Sequence, residues 1–335
     1  MSTAPLKIAL VGTGEWAKQH ARILAQRPDV DFCAVVGRNE ERTAARANAY
    51  GAKPYTVLGT MLTKEGPDLV CLSLPNQHHF DATLEVIEAG YPLLVEKPLV
   101  FDLNQADILL REAEKRGLFF AINFNHRYAK PLLLAKEAIE QGKLGNLIFA
   151  SWRFGGEGSS DHPHANLIET QCHAFDQLES LCGPIASIMA EMTDKTGKGL
   201  STLVLSLKFK SGAVGSLLGS YDSSYSYPDT HRLEINGTEG RVVVDDTVRR
   251  YSFQRAGDET AEVWQAGYFN DFDREFLRTF DRHMDEVLSA FRTGKPPPVP
   301  AEAGRRALEL AFAAMESYET GKRVTLVARA APERL

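Results

Sequence analysis

Residues 7–17 read KIALVGTGEWA, an apolar strand followed at once by a glycine-rich turn. A turn of the form GxGxxG/A that joins a strand to a helix is typical of dinucleotide-binding domains. Gly12 permits the tight turn, Gly14 leaves the backbone open to a pyrophosphate, and Ala17 lets the helix pack close to the sheet. We therefore expect cofactor contacts along the whole turn, at Gly12, Thr13, Gly14, Glu15, Trp16 and Ala17.

The pattern around this turn continues over residues 1–125 as an alternation of apolar runs with amphipathic stretches. Continuous apolar runs are typical of parallel strands covered on both faces. The sequence therefore predicts an α/β Rossmann domain with a doubly wound parallel sheet. Its predicted strands are 7–11, 32–36, 69–74, 93–95 and 119–124, and its predicted helices are 15–26, 40–50, 81–89 and 103–116.

The pattern changes in residues 126–335, where apolar and polar residues alternate with period two and tight turns separate the runs. This favours a C-terminal α+β domain for substrate binding and oligomerisation, with a large, open, mostly antiparallel sheet. The exposed face of strands in 202–253 needs a cover, which predicts a homodimer or homotetramer through the C-terminal sheet. The predicted strands are 147–154, 185–192, 202–209, 213–221, 232–236, 241–245 and 248–253; the predicted helices are 132–141, 165–181, 271–292 and 302–320, with a stiff linker at 296–300.

Composition excludes several classes of protein. The 335 residues carry a net charge of −6 and no basic block, which argues against a nucleic-acid partner. No apolar run reaches the ~20 residues that span a bilayer, and no signal peptide is evident, so we expect a cytoplasmic protein without a membrane partner. The four cysteines form no CxxC pair, which is typical of reduced thiols.

The end of the second strand bears on the choice of cofactor. An acidic residue there would bind the ribose 2′-hydroxyl of NAD, whereas this chain reads Gly37-Arg38-Asn39. Since Arg38 is available for a 2′-phosphate, NADP(H) is favoured. NAD(H) remains possible if Arg38 only stacks on the adenine.

Several further segments follow in a characteristic order. They are Pro75-Asn76-Gln77-His78-His79, Glu96-Lys97-Pro98, Phe124-Asn125-His126-Arg127-Tyr128, the run from Glu169 through His173 to Asp176, and a C-terminal stretch from Pro298 to Val324. With the glycine-rich turn, they make the chain resemble the Gfo/Idh/MocA oxidoreductases, a family of sugar and polyol dehydrogenases. The resemblance spans nearly the whole chain.

Lys97 is the predicted chemical centre. It follows a strand at the edge where doubly wound sheets bind ligands, and its ammonium can hydrogen-bond a substrate hydroxyl and stabilise an alkoxide. The resemblance implies the same role for Lys97 and a cis bond to Pro98. It also implies contacts around the nicotinamide or the substrate from Asn76, His79, Asn125 and Arg127. Further predicted cofactor contacts lie at the strand ends: Arg38, Asn39, Leu74, Pro75 and Glu96.

His173 is the predicted general base, because an imidazole transfers protons near neutral pH. Glu169, a further candidate catalytic residue, and Asp176 are placed on the same helical face. The family pattern is usually Asp-x-Gly-x-His-x-x-Asp, whereas this chain has Glu169 and Gln171. We expect these two departures to reshape the sugar pocket.

The loop 155–166 is rich in Gly, Ser and His and offers further candidate substrate contacts: Arg153, His162, His164 and Asn166. A metal site formed by His162, His164, Glu169 and His173 is an open alternative, although we assign no metal.

The sequence thus favours NAD(P)-dependent hydride transfer at a hydroxyl or keto group of a carbohydrate-like small molecule. Two alternatives stay open. One is a glycoside-cleaving or epimerising enzyme that oxidises its substrate transiently, and the other is a non-catalytic dinucleotide-binding regulator.

Overall fold

The structure, a computed structural model, describes residues 4–158, 162–270 and 272–326. The chain forms two compact units. The first unit runs to Asn125 and also takes in Leu277–Leu308, whereas the second holds His126–Phe276 and the chain from Glu309 onward.

The first unit is built on a parallel sheet that, in the described residues, has six strands in the order β3-β2-β1-β4-β5-β6. This is the order of a Rossmann fold, and it confirms the predicted fold class. The strands β4, β5 and β6 are buried at every position, as their largely apolar runs predict. The strands are β1 (Leu6–Val11), β2 (Val30–Val36), β3 (Lys53–Tyr55), β4 (Leu69–Leu72), β5 (Leu93–Glu96) and β6 (Phe120–Asn123).

Helices connect these strands: α1 (Glu15–Gln26), α2 (Glu40–Ala49), α3 (Leu58–Glu65), α4 (His79–Glu88) and α5 (Leu103–Lys115). Side-chain caps fix two of their starts. Asn39 accepts a hydrogen bond from the amide of Arg42 at 2.8 Å, and Asp102 accepts one from the amide of Gln105 at 2.9 Å. The sequence did not predict β3 or α3, which are short.

The segment 296–300, predicted as a linker, also extends the hydrogen bonding of β6. The carbonyl of Val299 accepts from the amide of Ile122 at 3.0 Å, and the amide of Ala301 donates to the carbonyl of Phe120 at 3.0 Å. The segment joins α8 (Phe272–Arg292) to α9 (Glu302–Thr320). These hydrogen bonds attach the segment between α8 and α9 to the edge strand β6 of the first unit.

The second unit contains the mostly antiparallel sheet that the sequence predicts. Its described strands pair in the order β14-β13-β12-β11-β7-β10-β9-β8-β15, and the β7–β10 pair is parallel. The strands are β7 (Leu147–Gly155), β8 (Ile185–Thr193), β9 (Thr202–Phe209), β10 (Val214–Ser220), β11 (His231–Gly237), β12 (Gly240–Asp245), β13 (Arg250–Arg255), β14 (Glu262–Gln265) and β15 (Val324–Thr325), with helices α6 (Lys130–Glu140) and α7 (Gln171–Cys182).

The two faces of this sheet differ in exposure. Along β9 every second residue is buried, as alternation predicts. On the other face lie four exposed apolar side chains, which we call the exposed sheet face: Phe149, Val204, Val214 and Leu218. Val204 pairs with Leu218 and Phe149 with Val214, so these side chains are neighbours across adjacent strands.

All four cysteines are buried and free of disulfide bonds. Burial raises the pKa of the Cys33, Cys71 and Cys182 thiols to about 12. Among the described residues, no helix combines the length and the apolar character needed to cross a membrane.

Candidate active site

The turn after β1 requires glycine at its first position. Gly12 has φ +132°, and a Cβ built there would lie 1.9 Å from the carbonyl oxygen of Ser73. The same Cβ would lie 3.5 Å from the Cβ of Ala17. Only glycine therefore lets β1, the end of β4 and the first turn of α1 approach so closely.

The start of α1 is suited to an anion. Its N-cap is Gly14 in an extended conformation, and no described side chain caps the first turn. A Cβ built on Gly14 meets no atom within 4 Å, so the space beside it is open. Unsatisfied amides and the positive end of the helix dipole then face open space, which fits the pyrophosphate of a dinucleotide.

The end of β2 leaves no room for an acidic side chain at residue 37. A Cβ built on Gly37 would lie 2.5 Å from Oγ1 of Thr43 and 2.7 Å from Cγ2 of Thr13. Both threonines would have to shift to admit a carboxylate. Arg38 follows directly and is exposed.

A second arginine lies beside the glycine-rich turn. Nη2 of Arg46 on α2 donates to the carbonyl of Thr13 at 3.1 Å. Its Nε atom is buried and has no hydrogen-bond partner within the described chain. Asn39, by contrast, uses its side-chain oxygen to cap α2, and its contact with the cofactor stays a prediction.

Leu74, Pro75 and Asn76 follow the carboxyl end of β4, but His79 is turned to the backbone. The imidazole of His79 is buried, with Nδ1 2.9 Å from the carbonyl of Pro98 and Nε2 2.8 Å from the carbonyl of Leu74. Burial lowers the pKa of His79. The ring ties two strand-end segments together, and its contact with the cofactor stays a prediction.

Asn125 is likewise held inside the first unit. Its Nδ2 donates to Oγ1 of Thr279 on α8 at 2.7 Å, and the side chain is buried. This contact fixes the chain after β6, and the cofactor and substrate contact of Asn125 stays a prediction.

Lys97 follows β5 directly and is half-buried, and its peptide bond to Pro98 is cis, as the resemblance implies. Its amide lies 3.3 Å from Oε2 of Glu96, to which it donates. The carboxylate of Glu96 thus accepts a hydrogen bond from the backbone of Lys97.

Glu96 is the centre of a buried hydrogen-bond network. Its Oε1 lies 2.7 Å from Nε2 of His20 and accepts from Nδ2 of Asn123 at 2.6 Å. The amide oxygen of Asn123 in turn lies 2.6 Å from Nδ1 of His283. Burial alone would raise the pKa of Glu96, but the hydrogen bonds and charge of His20, with the bond from Asn123, bring it below its ordinary value. The carboxylate behind Lys97 is therefore held ionised.

In the second unit, His173 lies buried in the first turn of α7. The sequence predicted one regular helix over 165–181, whereas residues Asn166–Thr170 wind as a π-helix before α7 begins. Because this change of winding falls between Glu169 and His173, α-helical spacing does not set their relative direction.

Further along α7, Asp176 forms an ion pair with Arg127. Nε of Arg127 donates to Oδ2 of Asp176 at 2.7 Å, and Nη2 donates to Oδ1. Burial raises the pKa of Asp176, and the Arg127 charge opposes this rise. The predicted substrate residue Arg127 is thus occupied by a carboxylate of its own unit.

The imidazole of His173 is stacked on that of His126. The ring centroids are 3.8 Å apart and the planes deviate by 8°. Both side chains are buried.

Comparison with known proteins identifies the family. Residues 6–124 match the oxidoreductase family with an NAD-binding Rossmann fold, and residues 136–326 match the C-terminal alpha/beta domain of the same family, Gfo/Idh/MocA. The chain belongs to the Gfo/Idh/MocA family. It is an oxidoreductase with a domain for a nicotinamide cofactor.

Individual family members resemble the chain over nearly its full length. Myo-inositol 2-dehydrogenase of Thermotoga maritima is 24% identical, with 96% of this chain and 98% of the relative covered. D-glucoside 3-dehydrogenase of Escherichia coli is 26% identical, with 97% and 99% covered. The WlbA dehydrogenase of Bordetella pertussis, solved with NADH and UDP-GlcNAcA, superposes with a TM-score of 0.83 at 23% identity, covering 98% of this chain and 99% of that one.

One departure from the Gfo/Idh/MocA pattern lies in the interior. Gln171 is fully buried, and its Nε2 donates to the carbonyl of Phe154 at 3.2 Å and to Oδ1 of Asn166 at 3.0 Å. A Cβ on Gly219 would lie 2.6 Å from the Gln171 amide carbon, so Gly219 makes room for it. Asn166 also donates to the carbonyl of Ser201 at 2.7 Å. Gln171 thus joins α7 to the sheet, and Asn166 does the same for the π-helical turn before it. The effect of Gln171 on the sugar pocket and the substrate contact of Asn166 stay predictions.

The candidate substrate contacts in and beside the loop 155–166 do not form one cluster among the described residues. Arg153 is exposed and donates to the carbonyl of Asp229, and the His162 and His164 rings lie 6.1 Å apart. Residues 159–161 of this loop lie outside the described residues. In the described chain, no three His, Cys, Asp or Glu residues are grouped to hold a metal ion, so the metal alternative at His162, His164, Glu169 and His173 gains no support.

Sequence reasoning missed four residues around the predicted functional groups: Arg46, His126, Asn123 and His283. Arg46 lies about two helical turns after Asn39, the end of the noted Gly37-Arg38-Asn39 segment, and a second cation there was a usable signal. The other three carried no pattern, since partners such as Asn123 and His283 are 160 residues apart in sequence.

Proposed function

We propose that the chain catalyses hydride transfer between a nicotinamide cofactor and a hydroxyl or keto group of a sugar, sugar derivative or polyol. The observation that carries the proposal is the position of Lys97. It follows β5 at the same carboxyl edge of the parallel sheet as the glycine-rich turn after β1. Ligands of doubly wound sheets bind at this edge. The inositol and glucoside dehydrogenases among the relatives support a polyhydroxylated substrate.

In this proposal Lys97 binds the reacting oxygen. Its ammonium donates a hydrogen bond to the substrate hydroxyl and stabilises the alkoxide as the carbon is oxidised. The ionised Glu96 behind it fixes the backbone from which the lysine extends. When bound, the nicotinamide supplies the hydride acceptor at its C4 carbon.

His173 serves as general base in the proposed reaction. It takes the hydroxyl proton during oxidation and returns it when a ketone is reduced. Glu169, half-buried before α7, contributes a negative charge to the same region of the second unit. Exposed or half-buried Arg153, His162 and His164 remain proposed substrate contacts.

We further propose that NADP(H) is preferred and that NAD(H) is possible. Gly37 is closed to an acidic side chain, and Arg38 and Arg46 offer two cations near the glycine-rich turn. The WlbA dehydrogenase was solved with NADH and therefore does not support a preference for NADP(H). The proposed preference rests on Gly37, Arg38 and Arg46 of this chain alone.

The proposal also includes a homodimer or homotetramer formed through the exposed sheet face, and a cytoplasmic location. Four apolar side chains on neighbouring strands support the first. The absence of paired cysteines among the four in the chain is consistent with the second.

A panel of sugars and polyols assayed with NADP⁺ and NAD⁺ tests the proposed function. We expect a rise in the reduced-nicotinamide absorbance with at least one polyhydroxylated substrate. Product formed without a net absorbance change would instead indicate transient oxidation in a glycoside-cleaving or epimerising enzyme. Cofactor binding with no turnover, together with a Lys97→Ala variant that keeps its cellular role, would indicate a regulator.

A further inference from the structure

The stacked rings of His126 and His173 bring two titratable groups of the second unit into face-to-face contact. His126 belongs to a short 3-10 turn, Asn125–Tyr128, and His173 to the first turn of α7. Their centroid distance is 3.8 Å and their planes are nearly parallel. The exposed fraction is 6% for His126 and 4% for His173, so water screens this contact poorly.

Two phenyl rings fix the orientation of His126. Phe154 meets its ring at 5.8 Å and 87°, and Phe276 meets it at 5.7 Å and 85°. Both phenyl rings stand nearly perpendicular to the imidazole ring of His126. One face of that imidazole ring stacks on His173. The stack is therefore held by the core of the second unit.

Two titratable neighbours of the pair are compensated or neutral. Arg127, next to His126, is paired with Asp176 on α7. His231 of β11 packs on Phe154 at 4.0 Å, and burial lowers its pKa to about 4, so it is neutral near pH 7.

Three further charged groups belong to the segments that carry the pair or its flanking phenyl rings, and one phenol contacts such a segment. Glu169 precedes α7, and Arg274 and the buried Glu275 precede Phe276 on α8. The hydroxyl of Tyr221 lies 2.9 Å from Oγ1 of Thr170, and burial keeps this phenol protonated.

We infer that the stacked rings of His126 and His173 carry at most one proton in total, and that His126 is a positioning residue for the proposed base. Two parallel imidazolium rings in contact repel each other, whereas a neutral ring can stack on a charged one. When the substrate O–H bond breaks and an N–H bond forms on His173, the neutral His126 ring faces the new charge. The inference rests on the proposed function, since it assigns His126 a role through His173.

Histidine titration by NMR tests the pair directly, using full-length protein labelled with ¹³C at histidine Cε1. In the wild type we expect the two rings to titrate in linked steps, with the second protonation displaced to lower pH by about one unit or more. In His126→Phe, which keeps a flat ring on the stack, His173 should take up its proton in one step, at higher pH than the second step of the wild type. In His173→Phe, His126 should do the same.

His231→Phe is the matched control, because it also replaces a histidine that packs on Phe154 but does not alter the stack on His173. In this variant His173 should titrate as in the wild type. If His126→Phe does not fold, the wild-type curves still decide: two independent single-step titrations overturn the pair. The acid limb of the kcat/KM profile should move in His126→Phe while the affinity for the cofactor stays constant.

The experiment separates this inference from the proposed function. Full activity in His173→Asn would overturn the role of His173 as base and leave the titration result standing. Unlinked titration in an enzyme that loses activity with His173→Asn would overturn only the pair.

Discussion

Lys97 illustrates how a single reactive side chain depends on neighbours that have no chemical role of their own. The Glu96 carboxylate takes its ionised form in the interior because His20 and Asn123 bond to it. A buried charge without such partners would be strongly unfavourable. The position of the lysine is therefore set by residues from α1, β6 and the chain end of β5.

Replacing Lys97 with Met should lower kcat by about 10²–10³, the usual loss when a donor to a developing oxyanion is removed. The dissociation constant of NADPH should change little. Absorbance kinetics and fluorescence titration measure the two quantities. Lys64→Met, an exposed lysine on α3, is the control, and a kcat within a few-fold of the wild type in the Lys97 variant would contradict the role.

Replacing Arg46 with Gln should weaken binding of 2′,5′-ADP about 10-fold, because a charge-assisted hydrogen bond to the 2′-phosphate is lost. Binding of 5′-AMP, which lacks that phosphate, should not change. Calorimetry measures both without requiring activity. The exposed Arg111 on α5 provides the control substitution, and equal losses for the two nucleotides would count against a 2′-phosphate contact.

At the scale of elements, β3 and α3 are joined to β1 by one buried carboxylate. Glu65, at the end of α3, lies 3.0 Å from Nζ of Lys53 and 3.2 Å from Nζ of Lys7, and it accepts a hydrogen bond from the hydroxyl of Tyr55. These contacts, the bond from Tyr55 foremost, lower the pKa of Glu65 from 4.5 to about 2. Two short elements with weak sequence signals are thus fixed by electrostatics and hydrogen bonds.

This depressed pKa makes Glu65 a source of pH-dependent stability. The contribution is fully present above pH 4.5 and is lost as the pH falls toward about 2. Glu65→Gln should therefore lower the free energy of unfolding at pH 7 by about 3 kcal/mol, taking ~1.4 kcal/mol per pKa unit.

Urea unfolding of the wild type and Glu65→Gln between pH 7 and pH 3 measures this dependence. The gap between the two proteins should shrink below pH 4.5. Glu114→Gln, an exposed position on α5, controls for loss of charge alone. A gap that stays constant with pH would show that the Glu65 contacts do not depend on its ionisation.

At the scale of the whole molecule, the exposed sheet face is the feature that a single chain leaves uncovered. Phe149, Val204, Val214 and Leu218 are between 38% and 53% exposed. Adjacent apolar side chains on a sheet are a common basis for association between copies. A second copy of the chain offers the same surface and can form a symmetric interface.

We expect light scattering to give the mass of a dimer or tetramer for the wild type. The double variant Val204→Lys with Leu218→Lys should reduce that mass to a single chain, since four lysines would then meet in a twofold interface. Val263→Lys on β14 is the control, because this residue is exposed but lies at the other end of the sheet order. A monomeric wild type at micromolar concentration would exclude this assembly.

The sequence predicted the first sheet well because its strands are unbroken apolar runs and its turn needs glycine. It also anticipated the alternating strands of the second sheet, whose period-two pattern is local. Local patterns did not predict β3 and α3, or the π-helical turn at Asn166–Thr170, because these depend on packing. Family likeness suggests roles for Lys97 and His173 that stay predictions. No local pattern indicates that His79, Asn125 and Asn166 use their side chains to bond distant parts of the chain.

By itself, the sequence determined the fold class, the dinucleotide turn and the family, because backbone conformation and hydrophobic period are encoded over a few neighbouring residues. The tertiary structure alone decided which polar groups meet: His126 with His173, Glu96 with His20 and Asn123, and Gln171 with the backbone carbonyl of Phe154. Such contacts join residues far apart in the chain, and a buried polar group is stable only where a partner closes its hydrogen bonds. The identity of that partner is a property of packing, which no local pattern records.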